Sequence, residues 1–206
     1  MTWLVNNGAF RLPQAGAGFK VLVLSLGLLA SPAFAQEEDD RGPLFVCGTG
    51  ADASEGTLYL SGIHNADDSF ADVRFEQLTG ETVAYSFPPP GTDPKSAFLF
   101  SHSDGPEGYL VSVRFADQGR DYELYSLAVP PADPNSDDDL GGFAGGLIVL
   151  ESGAVVSETA CAERPYLFST YIRDTVGCDA STPEGDAACA EDPPQRTQPL
   201  TLEGAN

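Results

Sequence analysis

The chain has 206 residues, of which 31 are acidic and 10 basic, giving a net charge of −21 at neutral pH. That balance disfavours nucleic acid and anionic lipid as partners, and it suits basic proteins, divalent cations or plain solubility. The length suffices for one hydrophobic core, and no internal repeat or linker marks a second folded domain.

Residues 1–35 read as a signal peptide. Arg11 and Lys20 precede or border a short apolar run at 21–30 (VLVLSLGLLA), and Ala33-Phe34-Ala35 is a small-x-small cleavage site. The run is too short to span a bilayer comfortably, so no membrane insertion is expected after cleavage near Ala35-Gln36. Gln36 in place of Cys argues against a lipid anchor. Cleavage removes two basic residues and no acidic one, leaving a net charge of −23. The expected location is periplasmic or secreted.

Four cysteines follow: Cys47, Cys161, Cys178 and Cys189. An even count in an exported chain reads as two disulfides, with three possible connectivities. Cys47–Cys161 and Cys178–Cys189 is the expected set, because the first ties an early strand to a late hairpin and the second closes a short polar loop. No C-x-x-C occurs, which argues against a thioredoxin-like redox site and a zinc ribbon.

Residues 36–42 (QEEDDRG) form a charged leader expected to be flexible. Strands are predicted at 44–47 and 57–63, the second with Gly62 marking a bulge or bend. Residues 70–78 and 82–87 make a hairpin, for which a Thr79-Gly80-Glu81 turn pairs Phe75 with Tyr85 and Val73 with Phe87. The proline run at 88–90 ends it. A short strand is predicted at 96–100 and a loop at 101–108.

The hairpin 109–129 turns at Gln118-Gly119. Its register sets Phe115 opposite Tyr122, Val113 opposite Leu124 and Arg114 opposite Glu123. An acidic Gly/Pro-rich loop at 130–146 leads to a second hairpin, turning at Ser152-Gly153. Here Leu150 is expected opposite Val155 and Ile148 opposite Ser157, with Cys161 on their face. In 165–176 (PYLFSTYIRDTV) the spacing of Leu167, Phe168, Tyr171, Ile172, Thr175 and Val176 predicts a helix, while the Thr, Tyr, Ile and Val content pulls toward a strand. Residues 179–206 lack large apolar side chains and read as a disordered tail.

Together these elements predict a mainly β fold. It is an antiparallel sandwich or small barrel over 43–178, disulfide-bonded, with one C-terminal helix.

Chemistry is harder to find. His64 and His102 fall on predicted loops or strand ends, where the two histidines with Asp67 or Asp68 would make a metal site only if the loops met. Ser101-His102-Ser103-Asp104 has the residue types of a hydrolase triad, but sequence neighbours cannot approach one another as a triad requires. There is no Gly-x-Ser-x-Gly elbow and no phosphate loop. Asp133, Asn135 and Asp137 alternate oxygen ligands as a calcium loop does, yet Asp138 and Ala144 stand where an EF-hand needs Gly and Glu. They remain weak calcium candidates. No catalytic or cofactor-binding residue is assigned.

The sequence therefore points to an exported, soluble, non-enzymatic binding module. Its partner is expected to be a basic protein of the envelope. At the level of architecture alone the chain resembles lysozyme inhibitors, which are small exported disulfide-bonded β-barrels. That resemblance implies a basic lysozyme-like target and brings no residue of this sequence with it. A calcium-stabilised β domain is the other expectation.

Overall fold

Period-two alternation of apolar residues resolves into two sheets packed face to face. The computed structural model describes residues 41–51, 53–67, 69–131, 141–183 and 185–195. In chain order the elements are β1 (Arg41–Thr49), β2 (Gly56–His64), β3 (Phe70–Thr79), β4 (Thr82–Phe87), α1 (Pro94–Ala97), β5 (Leu99–Gly105), β6 (Gly108–Asp117), β7 (Arg120–Val129), β8 (Gly142–Glu151), β9 (Ala154–Ala160), β10 (Tyr166–Leu167), α2 (Ser169–Thr175) and β11 (Gly177–Cys178). A short 3-10 turn, Gly185–Cys189, follows. One sheet runs β10-β1-β2-β3-β4 and the other β11-β5-β6-β7-β8-β9. Neither closes, so the architecture is a sandwich and not a barrel.

The core lies between the sheets. Phe45, Leu58, Leu60, Val73 and Phe75 enter from the first, and Phe100, Val113, Phe115, Leu124 and Leu147 from the second. Aromatic rings carry much of the contact. Phe115 stacks on Phe87 and Tyr122 at 4.8 Å each and meets Phe75 at 5.3 Å.

The β6–β7 hairpin has the expected register throughout, from Asp117 opposite Arg120 to Leu110 opposite Leu127. Gln118 and Gly119 both take positive φ, as a two-residue hairpin turn requires. Two other hairpins depart from expectation: each carries a bulge, and β3–β4 also turns over Gly80-Glu81 and not over Thr79-Gly80-Glu81. In β8–β9, Glu151 pairs with Ala154 and Leu150 with Val155, but Ile148 pairs with Glu158 and not Ser157. Val156 is an extra residue in the ladder. Leu147 and Val149, not Ile148 and Leu150, face the core. The bulge is what turns Cys161 inward to join them. In β3–β4, Thr79 pairs with Thr82, and a bulge at Ala84 sets Phe75 opposite Phe87 and Gln77 opposite Tyr85. Both bulged strands are sheet edges, where an irregular ladder discourages stray pairing.

Both disulfides are the expected ones. Cys47–Cys161 joins residues 114 apart, and Cys178–Cys189 residues 11 apart. The first spans the sheets. Around it Ala162 donates to the Gly48 carbonyl at 2.9 Å and Cys161 to that of Gly145 at 2.8 Å.

Several boundaries need correction. Arg41 and Gly42 belong to β1 and not to a leader, because Arg41 reaches the Asp72 carboxylate and carbonyl across the sheet. The strand expected at 96–100 begins at Leu99, since Asp93 caps a helical turn by accepting from the Lys95 N–H at 3.1 Å. The segment 101–105 is strand, not loop. Within 165–176 both readings hold in part, with strand at Tyr166–Leu167 and helix from Ser169. The tail expected to be disordered from 179 carries structure over 179–183 and 185–195, and 196–206 lies outside the described residues. Asp179 and Ala188 are buried, and Gln195 bridges to Asp104. Among the described residues no helix is long and apolar enough to cross a membrane.

Candidate binding surface

Five rings form a continuous chain on the surface at the β10–α2 segment. Tyr166 meets Phe168 at 4.6 Å, Phe168 meets Tyr171 at 5.7 Å, Tyr171 meets Phe70 at 5.6 Å, and Phe70 meets His64 at 5.1 Å. Every contact is edge to face, with interplanar angles of 84°, 80°, 66° and 70° in that order. Tyr166 remains 49% exposed and Phe168 and Tyr171 37% each. Single exposed apolar residues are ordinary, whereas a contiguous exposed run of them marks an interaction surface.

The fold fixes this run from beneath. Tyr166 pairs with Val46 and Leu167 with Phe45, so alternation sends Leu167 to the core and Tyr166 outward. Phe168 donates its N–H to the Leu44 carbonyl at 2.9 Å. One turn into α2, Ile172 is fully buried. The Cys47–Cys161 bridge holds the chain just before the segment and Cys178–Cys189 just after it. On the other side of 164–167 a cleft of about 200 Å³ opens among Tyr109, Val111, Ser126, Phe143, Arg164, Pro165 and Leu167. That volume is below the usual range for a drug-sized ligand.

His102 is not the loop residue expected. It is buried in β5, facing inward between Phe100 and Tyr109. Its Nε2 lies 2.9 Å from the Ala190 carbonyl and its Nδ1 3.1 Å from the Tyr109 hydroxyl. A carbonyl only accepts, so Nε2 carries the proton and Nδ1 accepts from Tyr109. Burial pushes the imidazole pKa down, against the opposing pull of the Ala190 bond. Both nitrogens are thus committed, and the ring ties the C-terminal segment to β5 instead of serving as a base. Ser101 and Ser103 point to the opposite face of the sheet, where Ser101 Oγ lies 2.9 Å from Ser112 Oγ. The run 101–104 therefore cannot form a triad.

His64 sits at the end of β2, against Phe70, and joins the ring chain. Asp67 is held by Ser69, whose hydroxyl donates to it at 2.6 Å. Asp68 lies outside the described residues, as do Asp133, Asn135 and Asp137. Among the described residues no three His, Cys, Asp or Glu side chains gather as a metal site.

Two charged clusters went unread in the sequence. Arg114 lies opposite Glu123 as expected, but its guanidinium donates to Asp179 at 2.8 Å. Asp179 is buried and also accepts from the Ser181 N–H. Burial pushes the neighbouring Glu123 carboxyl up, while Arg114 and Ser112 pull it back. In the other sheet Asp72, at φ +44°, bonds Arg41, Arg74 and the Gly91 N–H. Each cluster fastens chain segments together, and neither borders the cleft. No family model matches the chain, and no curated protein or solved structure matches it either.

Proposed function

We propose that this chain is exported, processed near Ala35-Gln36, and acts as a non-enzymatic binding module for a basic protein of the envelope, with the exposed rings as its contact surface. The observation that carries this reading is the run Tyr166-Phe168-Tyr171, three partly exposed aromatic side chains on a segment clamped by two disulfides. Aromatic side chains dominate binding hot spots because they bury much area at small entropic cost. Two disulfides also fit a non-cytoplasmic location. The charge of −23 on the processed chain would steer a basic partner toward the module and slow a negatively charged competitor.

The test is retention of an envelope partner by the immobilised, disulfide-bonded protein from an exporting host, at low and at high salt. The reading expects a stoichiometric partner that elutes as salt rises and is not held by a Tyr166→Ser, Phe168→Ser variant. Retention that ignores both salt and the rings would overturn it. A lysozyme-type enzyme in the eluate would identify the basic partner as that class.

A further inference from the structure

We infer that the C-terminal segment 185–195 is a reductively releasable strap over the β5 edge, with the Cys178–Cys189 disulfide as its catch and a dithiol as the reagent that opens it. This goes beyond the binding-module reading and does not depend on it.

The strap covers a sheet edge. β5 pairs with β6 on one side, and chain from the C-terminal end supplies its other neighbour. Gly177 donates its N–H to the Phe98 carbonyl at 2.9 Å and Asp179 to that of Phe100 at 2.8 Å. Beyond the Cys178–Cys189 loop the chain returns to the same edge. There the Asp104 N–H donates to the Pro194 carbonyl at 3.0 Å, and Gln195 bridges to Asp104 in parallel. The Gln195 side-chain amide also donates to the Asp104 carboxylate at 3.1 Å. Left bare, such an edge is a row of unpaired donors and acceptors open to a strand from elsewhere. The cover is applied in two pieces with the disulfide between them.

The two pieces are held differently. Asp179 is buried and paired with Arg114 at 2.8 Å, so the first piece has an anchor of its own. The second piece, 185–195 (GDAACAEDPPQ), has no large apolar side chain. Ala188 is buried, and Cys189 packs against the core beside it. The other ties are polar. His102 Nε2 donates to the Ala190 carbonyl at 2.9 Å and Arg173 to the Glu191 carbonyl at 3.4 Å. The segment also carries three carboxylates and no cation, in a chain of net charge −21. The protein's own field therefore works against its docking. Ordering eleven residues against so little buried surface puts the segment at the low-stability end of the fold. Covalent closure at Cys189 keeps its ties within reach.

The catch is reachable. Cys178 is exposed, whereas Cys47 of the other bridge is buried in the core. Exchange requires access to a sulfur, and exposed bridges are the labile ones. A thiolate of the dithiol attacks Cys178 Sγ, the S–S bond breaks, and Cys189 leaves as a thiolate that takes up a proton. The second thiol of the dithiol then displaces Cys178, which leaves in the same way. Two electrons pass from the dithiol, which ends as a disulfide, to the cysteine pair, which ends as two thiols. With the catch open, residues 185–195 come away from β5 while Arg114 keeps Asp179 in place.

The test exposes the folded, disulfide-bonded protein to increasing dithiothreitol without denaturant. Alkylation and peptide mapping follow the four cysteines, and amide hydrogen exchange follows the edge. Cys178 and Cys189 are expected to be reduced at least about tenfold faster than Cys47 and Cys161. With that pair open, the Asp104 amide should exchange about tenfold faster, while the Asp179 amide and the amides of β7 stay unchanged. Reoxidation should restore the Asp104 amide. The Cys178→Ser, Cys189→Ser variant should show the same exchange pattern without reductant, and its thermal melt confirms that it folds. Reduction of both bridges together, an unchanged Asp104 amide in the opened protein, or loss of protection across β7 would each overturn the assignment.

Discussion

Tyr166 and Phe168 meet edge to face at 4.6 Å and 84°, one opening a two-residue strand and the other capping the helix that follows. The residue between them, Leu167, packs into the core. Two neighbours of a buried residue are thereby held outward together. Replacing Tyr166 or Phe168 with Ala should cost binding far more than folding, because each is already more than a third exposed. We expect a stability loss of about 1 kcal/mol or less. Denaturant unfolding of each variant checks the second half of that statement.

The Cys47–Cys161 bridge should be the larger stabilising link. It closes the longest loop in the fold and lies where β9 leaves one sheet for the other. Cys47→Ala, Cys161→Ala should lower stability by about 2–5 kcal/mol, and Cys178→Ala, Cys189→Ala by less, since loop-closure entropy grows with loop length. Urea midpoints of the two double variants give the comparison. Equal losses would show that the tail clamp matters as much as the inter-sheet one.

His102 makes stability depend on pH with a definite sign. Its folded pKa lies below the ordinary value of 6.5, so the unfolded chain binds the proton more readily. The contribution of the neutral ring is complete above about pH 6.5 and is lost as pH falls through that value toward the lower folded one. Arg173 and Tyr109 are the groups that face it, and protonation would disrupt the bond from Tyr109. The stability difference between the wild type and His102→Gln should therefore shrink between pH 7.5 and pH 5. A gap that stays constant would place the ring's role in packing alone.

Glu123 should be dispensable. Burial raises its pKa, so ionisation at neutral pH weighs against the folded state despite Arg114 nearby. Stability from the neutral carboxyl is lost as pH rises above the unfolded value of 4.5. Glu123→Gln should melt at the same temperature or higher at pH 7. Asp72→Ala should do the reverse and cost about 2–4 kcal/mol, because it removes the carboxylate that Arg41 and Arg74 share and puts alanine at positive φ. Melting curves of the two variants side by side read both effects.

How much of this was legible depends on where one-residue irregularities fall. The β6–β7 register could be read because Gln118-Gly119 fixes a two-residue turn and alternation runs unbroken from it. The β8–β9 turn was equally clear, but Val156 carries no local sign of being extra, and one unmarked residue reverses every face beyond it. The ordered tail was hidden for a different reason. It has few apolar residues to announce a core and is held by Cys189, by the buried Asp179, and by Ala190 through His102. The ring run was hidden by the helix reading of 165–176, which places Leu167, Phe168, Tyr171 and Ile172 on one helical face. In fact the switch from strand to helix at Phe168 divides them. The density of rings in Pro165-Tyr166-Leu167-Phe168, directly after a charged stretch, was the available signal.

The most direct test of the binding account compares substitutions at two apolar side chains of similar exposure. Phe168→Ser alters the ring run, and Val155→Ser alters an exposed apolar residue on the β9 edge of the other sheet. Both variants are loaded with the same envelope extract and their retained partner is quantified. The account predicts that Val155→Ser holds as much partner as the wild type while Phe168→Ser holds about a tenth or less. Equal retention by the two variants, or a loss confined to Val155→Ser, would contradict it.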